Sequence, residues 1–189
     1  LGNTVTCTLA RNGDLVQEIY LKATITEKKA ATGVDRSASN AAADLHSMIK
    51  SVEVEIGGQK IDKHYAAWLD IYNELFEHNI DYLELMTNLA GDAQSGASTD
   101  PTKTVYIPLR FWFNRNAGLA LPLIALQYHE VKVLVELNKP ADLKIGNDNN
   151  ITASDMSLLV NYVYLDTDER RRFAQVSHEY LIEQVQHTG

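Results

Sequence analysis

With 189 residues, 25 acidic against 17 basic side chains and a formal charge of −8, the chain has the size of one domain with a sizeable core. Its charge opposes sequence-independent binding to a phosphate backbone, so no direct nucleic-acid partner is expected. The one cysteine, Cys7, can close no intrachain disulfide, and no apolar run approaches the ~20 residues that span a bilayer, so neither an oxidising compartment nor membrane insertion is expected. Leu1-Gly2-Asn3 shows no signal-peptide zones, and the chain reads as a segment of something longer.

From the start, Val5, Cys7 and Leu9 alternate with threonines, and Leu15, Ile19, Leu21, Ala23 and Ile25 alternate with Glu18, Tyr20, Lys22 and Thr24. Period two predicts two strands. The intervening Arg11-Asn12-Gly13-Asp14 predicts a hairpin turn, because Asn-Gly accepts positive φ. Ala30 to Ala43 reads as a loop. Val52, Val54 and Ile56 then form one strand face, with Glu53 and Glu55 on an opposite, solvated face. Gly57-Gly58 turns the chain toward Gln59-Lys60-Ile61.

The period next changes. Tyr65, Trp68, Leu69, Tyr72, Leu75 and Phe76 fall at helical spacing behind Asp62, predicting an amphipathic helical insertion over about residues 62–76 with Asp62 as its N-cap. A second short helix is predicted over Asp81–Leu89, followed by a small, polar loop from Gly91 to Thr102. Val105, Ile107, Leu109, Phe111 and Phe113 predict one face of a further strand, in which Pro108 marks an edge or a bulge. Val131, Val133, Val135 and Leu137 alternate with Glu130, Lys132 and Glu136 as a half-buried strand. Met156 to Leu165 is apolar on both faces and predicts a strand covered on both sides. Six strands, most of them alternating, with short helical insertions favour an all-β antiparallel sandwich.

No catalytic constellation emerges. His46, His64, His78, His129, His178 and His187 include no pair at i+2, i+3 or i+4, the spacings of local metal sites, so no metal or cofactor is expected. Each histidine reads as a surface or strand-end hydrogen-bonding residue. Ser177-His178-Glu179 holds the residue types of a hydrolytic triad, but sequence neighbours point apart where a triad must converge. Cys7 reads as a small core hydrophobe rather than a nucleophile. Asp168-Glu169-Arg170-Arg171-Arg172 interleaves both signs, which favours internal or intersubunit ion pairs over a phosphate site. Asn150-Ile151-Thr152 is a glycosylation sequon, a pattern common by chance.

Four longer segments are more specific: Glu55 to Tyr65 (EIGGQKIDKHY), Gly118 to Lys132 (GLALPLIALQYHEVK), Tyr164 to Ala174 (YLDTDERRRFA) and His178 to Gln186 (HEYLIEQVQ). In this order they resemble the major capsid proteins of nucleocytoplasmic large DNA viruses, especially the phycodnavirus and mimivirus-like branches. The resemblance implies a jelly roll: residues 1–166 as the first, N-terminal roll short of its earliest strand, and 167–189 as a segment leading to a second roll outside this chain. It implies a structural virion protein, not an enzyme, assembled in the host cytoplasm. Its expected partners are two further copies in a pseudo-hexagonal trimeric capsomer, neighbouring capsomers of an icosahedral shell, and minor capsid proteins. Asp168, Glu169, Arg170, Arg171 and Arg172, with Trp68 and Tyr72, are the candidate subunit or inter-roll contacts. A glycan-binding module is the alternative, since jelly rolls also serve as lectins.

Overall fold

Two antiparallel sheets face each other in the computed structural model, which describes residues 1–27, 45–76, 102–142, 151–176 and 179–187. The first sheet runs β1 (Thr4–Thr8), β7 (Val131–Leu137), β3 (Ile49–Ile56), β4 (Gln59–Tyr65). In the second, the long β2 (Leu15–Glu27) pairs with β8 (Ile151–Val163) along one edge, and with β5 (Thr102–Pro108) and then β6 (Leu121–Pro122) along the other. This is a jelly-roll sandwich. Among the described residues three α-helices decorate it: α1 (Ala66–Phe76), the single turn α2 (Trp112–Arg115) and α3 (Thr167–Gln175).

The alternating residues build the core. Val52 and Val54 of β3 and Val131, Val133 and Val135 of β7 meet Ile19, Leu21, Ala23 and Ile25 of β2 and Val105 and Ile107 of β5, all buried. Burial alternates along β7 at every residue, as its sequence predicts. In β2 the phase slips: a register irregularity between Val16 and Glu18 turns Val16 inward in place of Leu15.

Several expectations are corrected. β1 and β2 form no hairpin, since they lie in different sheets, and the Arg11–Asp14 stretch crosses between the layers. Neither Asn12 nor Gly13 has positive φ. Gly13 is needed for space instead, because a Cβ there would stand 2.6 Å from the Tyr162 Cβ. The tight turn is at Gly57-Gly58, with φ of 59° and 85°, joining Ile56 to its partner Gln59. Residues 59–65 are a strand, so the helix begins at Ala66 and not near 62. Asp62 is buried within β4 rather than capping α1.

The strand predicted to reach Phe113 ends at Pro108, the last residue of an outer strand. Phe111, Trp112 and Phe113 are all buried in succession, which a strand with one face on the core cannot achieve. The chain bends into α2, where Asn114 Oδ1 accepts from the Phe111 N–H and Asn114 Nδ2 donates to the Gln17 carbonyl. β8 is not covered on both sides. Met156, Leu158, Val160 and Tyr162 pack on the core, whereas Leu159 on the other face is 42% exposed. Of the Val5, Cys7, Leu9 face, only Leu9 is fully buried; Cys7 is half-buried and Val5 exposed. Glu53 is buried rather than solvated. The loop 30–43, the helix 81–89 and nearly all of the loop 91–102 fall outside the described residues.

Candidate functional site

α1 forms because Ala66 to Phe76 contains no Gly or Pro and places Leu69 and Asn73 one turn apart on the face that is buried. Asn73 is the polar member of that face, and it is satisfied. His46, in the 3₁₀ turn Leu45–Met48, approaches its amide at 3.3 Å through Nε2, and Arg110 Nη2 donates to its Oδ1 at 3.4 Å. The other His46 ring nitrogen, Nδ1, pairs with Asp70. Arg110 also lies over the Tyr72 ring at 4.9 Å, and Tyr72 meets Trp68 edge-on at 5.9 Å and Phe76 at a tilt at 4.8 Å. The helix is thus held from below by a polar cluster. Its outer side leaves Ile71, Leu75 and Phe76 half or more exposed.

α3 starts where Asp166 Oδ1 accepts from the Glu169 N–H, with Asp168 and Glu169 in the first turn and Arg172 in the last, the arrangement favoured by the helix dipole. Arg170 leaves this helix to meet Asp14, whose Oδ2 accepts from Arg170 Nε at 2.9 Å and from the Leu165 N–H at 2.8 Å. The Asp14 main chain also bonds to Val163 and Ile124. Burial opposes ionisation of Asp14, but the Leu165 N–H and the Arg170 guanidinium outweigh it and hold the carboxyl below its ordinary value.

Residues 179–187 lie against β4. Gln184 Nε2 donates to the Ile61 carbonyl, the His187 ring sits 4.7 Å from that of Tyr65, and Glu183 pairs with Arg115 at 3.3 Å. Beneath, a polar cleft of about 340 Å³ is lined by Glu53, Lys60, Lys63 and Tyr65. Glu53, nearly enclosed there, is neutralised by Lys60 at 3.1 Å. Among the described residues no three His, Cys, Asp or Glu side chains converge as metal ligands, and no helix is long and apolar enough to cross a membrane.

Residues 1–166 match the family model described as the major capsid protein N-terminus. The whole chain aligns at 54% identity with 46% of the major capsid protein of Pyramimonas orientalis virus, and at 40% with 35% of capsid protein 1 of Acanthamoeba polyphaga mimivirus. The chain belongs to the viral major capsid proteins. Among solved structures it superposes on PBCV-1 VP54, seen fitted into a reconstruction of the virophage Sputnik, with a TM-score of 0.76 and 40% identity over 98% of this chain and 44% of that one. It therefore spans less than half the length of these capsid-protein relatives.

The candidate contact residues of this capsid-protein roll fall into two groups. Trp68 and Tyr72 stand together on α1, both half-buried. On α3, Arg170 pairs inward with Asp14, Arg171 lies 3.8 Å from Asp168 at the surface, and Glu169 and Arg172 are exposed. Asn150 lies outside the described residues, as do His78 and His178.

Sequence reasoning missed two groups. His46 and His64 are buried, not surface residues. His64 lies in the core of the sandwich, stacked on Phe111 at 4.9 Å, with Nε2 3.0 Å from Asp62 Oδ2 but off the axis of a hydrogen bond. Alternation within β4 carried the signal, since Asp62 and His64 fall two apart on the inward face. Asp14, the hub of the Arg170 joint, reads in sequence as an ordinary turn residue.

Proposed function

We propose that this chain is the first jelly roll of a structural shell subunit that forms trimeric, pseudo-hexagonal capsomers in the icosahedral capsid of a large double-stranded DNA virus, assembled in the host cytoplasm. The reading is supported above all by the match of residues 1–166 to the major capsid protein N-terminus. Catalysis and cofactors have no part in it. A shell subunit acts by burying self-complementary surface, roughly 1,600 Å² or more per stable contact.

Within that reading the surfaces divide the work. Trp68 and Tyr72, flanked by the exposed Ile71, Leu75 and Phe76, form the apolar part of a subunit contact. Asp168, Glu169, Arg170, Arg171 and Arg172 join the roll to the segment that follows, with Arg170 anchored on Asp14. Neighbouring capsomers and minor capsid proteins are the remaining partners. Mass measurement of the longer polypeptide that carries this chain tests the assembly: a species of three copies is expected, and a monomer persisting at high concentration would overturn it.

A further inference from the structure

Asn12-Gly13, a hairpin signal in the sequence, closes no hairpin and adopts no positive φ. It spans two fixed points instead. On one side the Tyr162 hydroxyl donates to the Ala10 carbonyl at 2.6 Å, and Arg11 Nη2 donates to the Leu126 and His129 carbonyls at 2.6 and 3.2 Å. On the other, Asp14 donates its N–H to Val163, accepts from the Ile124 N–H, and holds the Leu165 N–H and Arg170 through its side chain. Between these anchors Asn12 is exposed, and neither its amide nor the Gly13 N–H makes a hydrogen bond among the described residues.

An asparagine amide carbon is open to attack by the main-chain nitrogen of the following residue, and glycine shields that nitrogen least because it has no Cβ. The chain holds a single Asn-Gly pair. A larger residue at 13 would shield the nitrogen, but its Cβ would stand 2.6 Å from the Tyr162 Cβ. The packing that admits only glycine thus keeps the nitrogen bare. Two other exposed asparagines differ on both counts. Asn116 precedes Ala117 and accepts from the Gly118 N–H at 2.8 Å, and Asn161 precedes Tyr162 and donates to Glu18 at 3.3 Å.

We propose that Asn12 is a site of spontaneous deamidation, and that its isoaspartyl product loosens the Asp14–Arg170 joint. Hydroxide takes the Gly13 N–H proton, the nitrogen bonds to Asn12 Cγ, and the Cγ–Nδ2 bond breaks to release ammonia, closing a succinimide ring. Water then opens the ring, and nothing is oxidised or reduced. Addition at Cγ gives aspartate. Addition at the main-chain carbonyl carbon gives isoaspartate, in which the chain runs through Cβ and Cγ and gains a backbone atom. Gly13 already packs against Tyr162, so the added length displaces Asp14 from Leu165 and Arg170.

The test holds the folded whole chain, and the same chain in urea, in mildly alkaline buffer. Peptide mass spectrometry follows each asparagine, and enzymatic methylation reports isoaspartate. The folded chain is expected to convert Asn12 at least about tenfold faster than Asn116 or Asn161, because glycine leaves its nitrogen unshielded. Asn12→Gln, whose side chain would need a larger ring, is expected to abolish the signal at this position. Hydrogen exchange then compares the isoaspartyl form with Asn12→Asp, which carries the same charge on a main chain of normal length, circular dichroism having established that both are folded. Exchange about tenfold faster at Leu165 and through α3 is expected in the isoaspartyl form alone. Conversion of Asn12 only in urea, or no faster than that of Asn116 in the folded chain, would overturn the site. An isoaspartyl chain as well protected at Leu165 as the Asn12→Asp variant would overturn its coupling to the joint.

Discussion

Arg170 reaches Asp14 across 156 positions of sequence, with Nε and Nη2 each 2.9 Å from the same carboxylate oxygen. That oxygen also receives the Leu165 N–H. One buried carboxylate therefore joins the inter-sheet crossing after β1, the end of β8 and the first turns of α3. Arg170→Ala is expected to lower unfolding stability by about 1–2 kcal/mol, since it strips a charged partner from a buried acceptor. Arg171→Ala, whose partner Asp168 is exposed, is expected to change it by less than about 0.5 kcal/mol. Denaturant titration of both variants checks the contrast, and equal losses would contradict it.

The same carboxylate gives a pH signature. Asp14 is held below its ordinary value in the folded chain, as is Glu136, which accepts from Lys50 and Ser51. For a lowered carboxyl, the stabilisation is full above the ordinary value of about 4 and is lost as pH falls through that value toward the folded one. Stability should therefore decline on acidification below about pH 5. Asp14→Asn should be less stable at pH 7 and show a shallower decline. Denaturation midpoints measured from pH 7 to pH 3 decide the matter.

Glycines test the turns separately. Gly58 has φ of 85° and open space around its α-carbon, so Gly58→Ala meets backbone strain alone, a loss of about 1 kcal/mol. Gly13 has ordinary φ but stands against Tyr162, so Gly13→Ala meets a clash instead, a loss of about 1–3 kcal/mol. Adding Tyr162→Ala should recover part of the loss only in the Gly13 variant, at the expense of the bond from the Tyr162 hydroxyl to the Ala10 carbonyl. Thermal melts of the four chains make the comparison.

The core pair of Asp62 and His64 is coupled. His64→Ala removes a ring stacked on Phe111 and leaves buried Asp62 with the Lys63 N–H as its hydrogen-bond donor and no side chain beside Oδ2, for an expected loss of about 3 kcal/mol. Asp62→Val with His64→Leu replaces both polar groups by apolar ones and should lose much less than the two single variants summed. A double-mutant cycle yielding strict additivity would contradict this pairing.

What the sequence revealed follows its periodicity. β7 was legible residue by residue because one face meets the core and the other does not. The helix start was misread because β4 carries Asp62 and Tyr65, which also suit a cap and an apolar helical position. Only pairing with β3 decides between the two. β1 and β2 were read as a hairpin because Asn-Gly reports a turn but not which sheet receives the next strand. Trp68 and Tyr72 were legible as one helical stripe, and of the mixed-sign run Asp168 to Arg172 the structure pairs Arg170 with Asp14 and Arg171 with Asp168. The partner of Arg170 was not legible, since a contact over that separation leaves no local pattern in a single sequence.

The shell reading is tested most directly by cryo-electron microscopy of particles formed by the longer polypeptide that carries this chain. The account predicts pseudo-hexagonal units in which this roll occurs three times, with Ile71, Leu75 and Phe76 of α1 buried between copies. A protein that forms no ordered array, or units in which α1 faces solvent throughout, would contradict it.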